Sequence, residues 1–292
     1  MQRRRFNGAD DLAKMQCLVA GRTADMGPGT NLHPGDVAHR IYSGLRRERI
    51  DDVVIVWSEG DAVEAFALVW PKDQAFDVAT RVGMDDRVYR QLIAELADLA
   101  EAQGRVETDV IGDDRRFLDA LSNLGFVWFE DGYWFTGQPI PAVVDVPDSE
   151  FVVRSVTRDD AVALAEVHAG SFGSSWTAEQ YEALMGTPGY VAENELVAVD
   201  THGRLAGFTV TWYDSLNKVG YFEPVGVYED YRRRGVGSLL LAEGMRRMQG
   251  VGMTHATVWH AHSDARSAAF YAANGFEQLS SVTRWQRVRS AG

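Results

Sequence analysis

Residues 231 to 240, YRRRGVGSLL, set three arginines directly before two closely spaced glycines. They stand between a stretch that reads as a strand and one that reads as a helix. Gly235 and Gly237 tolerate positive φ and leave room for a ligand against the backbone. At a strand-to-helix junction they can turn successive N–H groups toward one point, and the new helix adds its own unpaired N–H groups and positive dipole end. The chemistry this predicts is anion binding in a backbone nest, with Arg232, Arg233 and Arg234 adding charge-assisted contacts to phosphate. A glycine helix start beside solvated arginines is the alternative. The G-K-[ST] ending of a nucleotide P-loop is absent, and G-x-G-x-x-G is not matched. His260 and His262 stand two apart at a strand end, a spacing that can hold a metal. Without further ligands nearby in sequence they read as pocket-lining or surface residues.

Periodicity supplies the elements that must position this loop. In the C-terminal half, FVVRSV (151–156) reads as a strand, and a helix follows from the candidate N-cap Thr157. TAEQYEALM (177–185) reads as a second helix capped by Thr177. ELVAVD and RLAGFTVTWY flank THG as a hairpin. VGYFEPVGV (219–227) is a strand, 236–249 a helix, HATVWHA a strand, DARSAAFYAAN a helix and VTRWQRV a last strand. The order β-α-α-β-β-β-α-β-α-β predicts a mixed α/β domain.

The N-terminal half repeats part of this order. DVVIVWSEG and DAVEAFALVWP read as a hairpin, AFDVATRV as a strand, RVYRQLIAELADLAEAQG as a helix and RVETDVI as a strand. DDRRFLDALSNLGF matches SDARSAAFYAANGF at a constant offset of 150, so Asp114 falls on Asp264 and Gly125-Phe126 on Gly275-Phe276. Domain-scale self-similarity predicts duplication. The first copy lacks the glycine loop. Residues 137 to 150, GQPIPAVVDVPDSE, hold three of the eight prolines and read as a linker. The expected domains are 1–138 and 151–292, joined by 139–150.

The 292 residues suit two domains, and 46% hydrophobic with 24% charged residues is the composition of a globular protein. A net charge of −13 argues against a general nucleic-acid binder. There is no apolar run long enough for a membrane span, and no apolar run behind MQRRRFNGADD to make a secretory signal. Cys17 is the only cysteine, which excludes an internal disulfide and a cysteine-rich zinc site. A cytoplasmic setting is expected.

VGVYEDYRRRGVGSLLL resembles the signature of the GNAT superfamily of acyl-CoA-dependent N-acetyltransferases, V-x-x-x-x-R/Q-x-x-G-x-G/A, with Val227, Arg232, Gly235 and Gly237 in its places. The family's later N-x-x-A-x-x-x-Y-x-x-x-G-F is met by Tyr271, Gly275 and Phe276, while Asp264 replaces the Asn and Ser267 the Ala. The resemblance covers about 151 to 288. It implies α/β (α+β mixed-sheet) architecture with two tandem GNAT-like domains, the N-terminal one degenerate: Leu121 stands where the second copy has Tyr271.

The resemblance also implies roles. The pyrophosphate of acetyl-CoA, the co-substrate, would sit on the amides of residues 233 to 238: Arg233, Arg234, Gly235, Val236, Gly237 and Ser238. Arg232 would add potential. Val225, Gly226 and Val227 would run beside the pantetheine arm, and Asp264 and Ser267, at the counterpart family positions, would complete the cofactor-binding set. Pro224, which cannot donate to a ladder, marks a bulge or an edge strand. Glu223 is the candidate general base, placed by strand alternation on one face with Val225 and Val227; a structural or substrate-binding role is the alternative. An amide near Val225 would receive the oxyanion, and Tyr271 would protonate the departing thiolate. Trp176, Tyr181, Trp212 and Tyr213 are candidates for the acceptor pocket, with a place in the core as the alternative. The expected activity is acetyl transfer to a primary amine of a small molecule in a ternary complex, with no metal, nucleic acid or membrane partner, by a monomeric pseudo-dimer or a homodimer. An acyl-CoA-binding sensor and a protein N-acetyltransferase are the alternatives.

Overall fold

The computed structural model describes residues 1–29, 32–44, 53–70, 72–186 and 190–289, with the side chains of 42–44 excepted. Asp52 and Pro71, at the ends of the two strands expected for the first hairpin, lie outside the described residues. The described chain is a mixed α/β structure with twelve strands and eight α-helices. No described helix is long and apolar enough to cross a membrane.

Contacts divide the chain into two compact units. The first holds Met1–Thr136, His260–Ala269 and Gln278–Gly292; the second holds Gly137–Trp259 and Phe270–Glu277.

The first unit begins with β1 (Gln2–Arg5), α1 (Gly8–Met26) and α2 (Pro34–Gly44), none of which periodicity had indicated. The hairpin β2 (Val54–Glu59) and β3 (Ala62–Trp70), the strand β4 (Ala75–Thr80), α3 (Asp86–Ala100), β5 (Arg105–Ile111) and α4 (Arg115–Asn123) follow as expected. Asp85 caps α3, accepting from the amides of Arg87 and Val88. Leu92, Ile93, Leu96 and Ala97 of α3 pack on Phe76, Val106 and Val110. β6 (Val127–Pro139) leaves this unit after Thr136.

The second unit contains β7 (Val152–Ser155), α5 (Ala161–Phe172), α6 (Ala178–Met185), β8 (Glu195–Val199), β9 (Leu205–Asp214), β10 (Val219–Val227), α7 (Val236–Gly250) and β11 (His255–Ala261) up to Trp259. Its strands run in the order β11-β10-β9-β8-β7, with β10 and β11 parallel and the other neighbours antiparallel. Thr177 and Gln180 form a reciprocal capping box at α6. α5 and α6 cover one face, through Leu164, Val167 and Tyr181 against Val197 and Phe208. α7 covers the other, through Leu241, Met245 and Met248 against Phe222 and Val258. α8 (Ala265–Ala273) and β12 (Glu277–Val288) complete the chain.

Compactness thus divides the chain differently from the boundaries 1–138 and 151–292. β12 pairs antiparallel with β5 from Val282↔Ile111 to Val288↔Arg105, so the last strand is built into the first unit's sheet. Conversely, the Gln138 side chain donates to the Asn274 carbonyl, within the second unit. The linker marks where the copies meet in sequence, whereas ladder pairing decides which copy a strand completes.

Candidate active site

The geometry at the centre of the second unit starts from Pro224. It lacks an N–H, and the ladder breaks there: Phe222 is opposite Thr211 and Val225 opposite Thr209, with a register shift between them. Three steps along β10 match two along β9, so one extra residue is accommodated. On the other side, β10 pairs with β11 only from Val219↔His255 to Phe222↔Val258. β10 continues to Val227 and β11 to Ala261, so the two parallel strands part at Glu223. Residues 223 to 227 have no ladder partner on β11.

The bulge corrects the expected face of Glu223. An extra residue inverts alternation. Phe222 and Val225 pack together on the α7 side, and Val227 lies there beside Val236, Leu239 and Leu240. Gly226 points the other way, where a Cβ would come 2.5 Å from Phe208 Cε1 and 3.0 Å from Phe172. Glu223 lies on this second face with Tyr221, whose hydroxyl donates to Glu223 Oε2 at 3.0 Å. It therefore does not share a face with Val225 and Val227. Trp212 Nε1 donates to the Glu223 carbonyl at 3.2 Å.

The glycine loop follows β10. A 3-10 turn, Glu229–Tyr231, leads to Arg232, and Gly235 at φ +81° opens α7. Arg233 also has positive φ, 68°. The first helical bond runs from Leu239 N to Gly235 O at 3.0 Å. Among the described residues, the amides of 233 to 238 have no hydrogen-bond acceptor. α7 has no side-chain cap and no acidic residue in its first turn. Its N-terminus is thus a set of unsatisfied donors with a positive dipole end. Gly237 is buried, and a Cβ there would lie 2.8 Å from Phe270 Cζ. Phe270 is the first α8 residue of this unit.

The three arginines separate. Arg232 donates to the carbonyls of Gly170 and Ser171, at 3.4 and 3.1 Å, where α5 ends. Arg234 pairs with Glu150 at 2.9 Å and lies over the rings of Phe151 and Tyr231 at 5.0 and 5.1 Å. Both tie the loop to its surroundings. Arg233 is exposed and makes no hydrogen bond or ion pair among the described residues.

Tyr271 is buried, with 6% exposure, in the cluster that contains Phe222, Val258 and Phe276 and takes in Val225. Its ring meets Phe276 at 5.7 Å and Phe270 at 5.0 Å. Val225, Tyr271, Gly237 and the loop amides therefore belong to one face of the second unit. Asp264 and Ser267 group with the first unit. Asp264 accepts from the amides of Arg266 and Ser267 and, at 2.6 Å, from the Ser267 hydroxyl. That hydroxyl, then the amides, hold its carboxyl below the usual range. These two residues form a helix cap, a role that the Asn position of the signature did not reveal.

Among the acceptor candidates, Trp212 lies beside Glu223, and Trp176 and Tyr181 stack at 4.9 Å on the α5 side. Tyr213 lies on the opposite face, with the α7 cluster, because it is one residue away along β9. The sequence missed His168, which contacts Phe172, Trp176, Tyr181 and Phe208 at 5.0 to 6.2 Å and Ser174 Oγ at 2.5 Å. It also missed Glu195, opposite Val210 on β9. Burial pushes the Glu195 carboxyl up to about 7, although Tyr190 donates to it at 2.6 Å. No local signal marks a glutamate at the start of a strand as buried. His260 is buried, with its pKa lowered by burial, whereas His262 is exposed at 4.5 Å from the Trp134 ring.

The first unit keeps the parting strands without the loop. β4 and β5 pair only at Ala75↔Glu107 and Phe76↔Thr108. Asp77, next after Phe76 as Glu223 is after Phe222, forms an ion pair with Arg40 at 2.7 Å. Arg22 of α1 donates to the Thr80 carbonyl at 2.9 Å and reaches Asp114 at 3.4 Å. Two arginines thus occupy the polar groups where these strands part. Burial, then the Asp77 charge, push the Asp109 carboxyl up to about 6. Leu121 is core, with 0% exposure.

Residues 161–276 match the acetyltransferase (GNAT) family. Among solved structures, a tandem GNAT protein from the clavulanic acid biosynthesis pathway superposes with TM-score 0.66 at 16% identity, covering 100% of this chain and 99% of that one. A GCN5-related N-acetyltransferase from Sphaerobacter thermophilus gives 0.60 at 16% identity, covering 100% and 96%. A GNAT-family acetyltransferase from Colwellia psychrerythraea gives 0.64 at 10% identity, covering 98% and 100%. No curated protein matches in sequence. The second repeat thus matches the GNAT acetyltransferase family model, and over its length the chain has the fold of a tandem GNAT protein.

Proposed function

We propose that this protein is an N-acetyltransferase that moves the acetyl group of acetyl-CoA to a primary amine of a small molecule, by direct attack in a ternary complex. The observation that carries the reading is the parting of β10 and β11 at Glu223, on the strand that leads into an uncapped helix N-terminus. An extended thioester arm can pair with the strand edge at 223 to 227 while its pyrophosphate meets the donors of 233 to 238. Those residues fit an anion because no carboxylate or side-chain cap competes for the amides. Arg233 adds a free positive charge.

Acetyl-CoA supplies the acyl group as a thioester. Glu223 takes the proton of the attacking amine as the new N–C bond forms. The Val225 amide donates to the developing oxyanion. Tyr271 gives its phenolic proton to the sulfur as the C–S bond breaks. The aromatic side chains around His168, with Trp212, support an acceptor side suited to a small molecule that presents apolar or ring surface. The single cysteine is in keeping with a cytoplasmic setting.

Calorimetric titration with acetyl-CoA is expected to show one site per chain, because Arg22 and Arg40 fill the first unit's parting strands. Two sites would overturn that account of the first unit. The reaction itself is tested by thiol release from acetyl-CoA with a panel of primary amines. Amine-dependent release supports the enzyme. Binding without release for any amine would make the protein an acyl-CoA sensor, and release only with peptide N-termini or lysines would make it a protein acetyltransferase.

A further inference from the structure

Trp212 and Tyr221 are direct cross-strand partners in the β9–β10 ladder. They lie on the α5 side, and both donate to the same residue two positions beyond Tyr221. Tyr221 reaches the Glu223 carboxylate and Trp212 the Glu223 carbonyl. We propose that this pair is a positioning clamp for Glu223, with Tyr221 holding the carboxylate in its ionised, proton-accepting form. The inference rests on the reading of Glu223 as the base.

The need for a clamp comes from the bulge. Glu223 has no register partner on β9, where pairing jumps from Phe222 to Val225, and none on β11, where pairing ends at Phe222. A residue outside the ladder on both sides loses the constraint that normally aims a strand side chain. Two ring donors, each with only two side-chain torsions, restore it at low entropic cost. Tyr221 is anchored in the core with 1% exposure, whereas Glu223 is half-buried. The fixed member is therefore the donor, and the carboxylate is the member it holds. A hydroxyl donating to a carboxylate favours the charged form and opposes the effect of burial. The other titratable groups on this face are His168 of α5, Tyr181 of α6, and the Tyr190–Glu195 pair at β8.

The test needs no acceptor. Protein labelled with ¹³C at glutamate Cδ is titrated by NMR, and the resonance missing from Glu223→Gln identifies Glu223. Tyr221→Phe is expected to move the Glu223 midpoint to higher pH. Trp212→Phe, which removes only the bond to the carbonyl, is expected to leave the midpoint near wild type. Retained acetyl-CoA binding checks that both variants fold. An unmoved midpoint in Tyr221→Phe, or equal movement in both variants, overturns the clamp. Full amine-dependent thiol release by Glu223→Gln would instead remove the base reading, whatever the titration shows.

Discussion

Glu223→Gln is expected to lower amine-dependent thiol release at neutral pH by about 10²- to 10⁴-fold, the usual contribution of a positioned general base. The substitution is close to isosteric. Its amide oxygen can still accept from Tyr221, and the bond from Trp212 ends on the main chain and is untouched. The bulge and the core beneath it therefore persist. What disappears is the group that takes the proton of the incoming amine. Acetyl-CoA affinity should hardly change, since the donors of 233 to 238 and Arg233 stand apart from the Glu223 side chain, beyond the end of β10. The deficit should shrink as pH rises, because a larger fraction of the acceptor then arrives already deprotonated. Rates at pH 7 and pH 9.5, with calorimetry on both proteins, check each part. An unchanged rate at pH 7 would remove Glu223 from the proton path.

Gly237→Trp is expected to abolish acetyl-CoA binding, raising Kd by at least about 100-fold, roughly 2.7 kcal/mol. Even a Cβ at this position would come 2.8 Å from Phe270 Cζ, so an indole must displace that ring or turn across the amides at the start of α7. Either result obstructs the surface on which pyrophosphate would lie. Gly235→Ala separates shape from conformation. A Cβ at Gly235 meets nothing within 4 Å, but φ is +81°, a region that costs an L-residue about 1–2 kcal/mol. Gly235→Ala should therefore weaken binding less than Gly237→Trp while lowering Tm by a few degrees. Calorimetry and thermal unfolding of the two variants check this ordering. Tight binding by folded Gly237→Trp would place the coenzyme elsewhere.

Much of the second unit was legible because its signals are local. Gly235 is glycine where φ must be positive, and α7 starts there. Pro224 lacks the N–H a ladder needs, and the bulge is there. The strand limits 219–227 and the capping box at Thr177 likewise depend on residues close in sequence. In the first unit, the pattern of β2 to β5, α3 and α4 was legible for the same reason, whereas α1 and α2 were not.

Tertiary structure decided whatever depends on partners far apart in the chain. Alternation suggested the wrong face for Glu223, because a bulge reverses parity and its extent is set by pairing with β9. Arg232, Arg233 and Arg234 are chemically identical in sequence; only the end of α5, Glu150 and Phe151 distinguish two anchors from one free cation. Asp264 reads as a ligand position until Ser267 and two amides occupy its oxygens. The repeat at offset 150 revealed a duplication, but only the seven-residue ladder between β5 and β12 shows which copy the last strand completes. Arg22 and Arg40 carry no motif, yet they close the polar groups of the first unit because folding brings α1 and α2 against β4. The amino-acid order determined the local backbone and hence where an anion can be held. The faces and the partners came from packing, since a side chain's role is set by the neighbours that folding supplies.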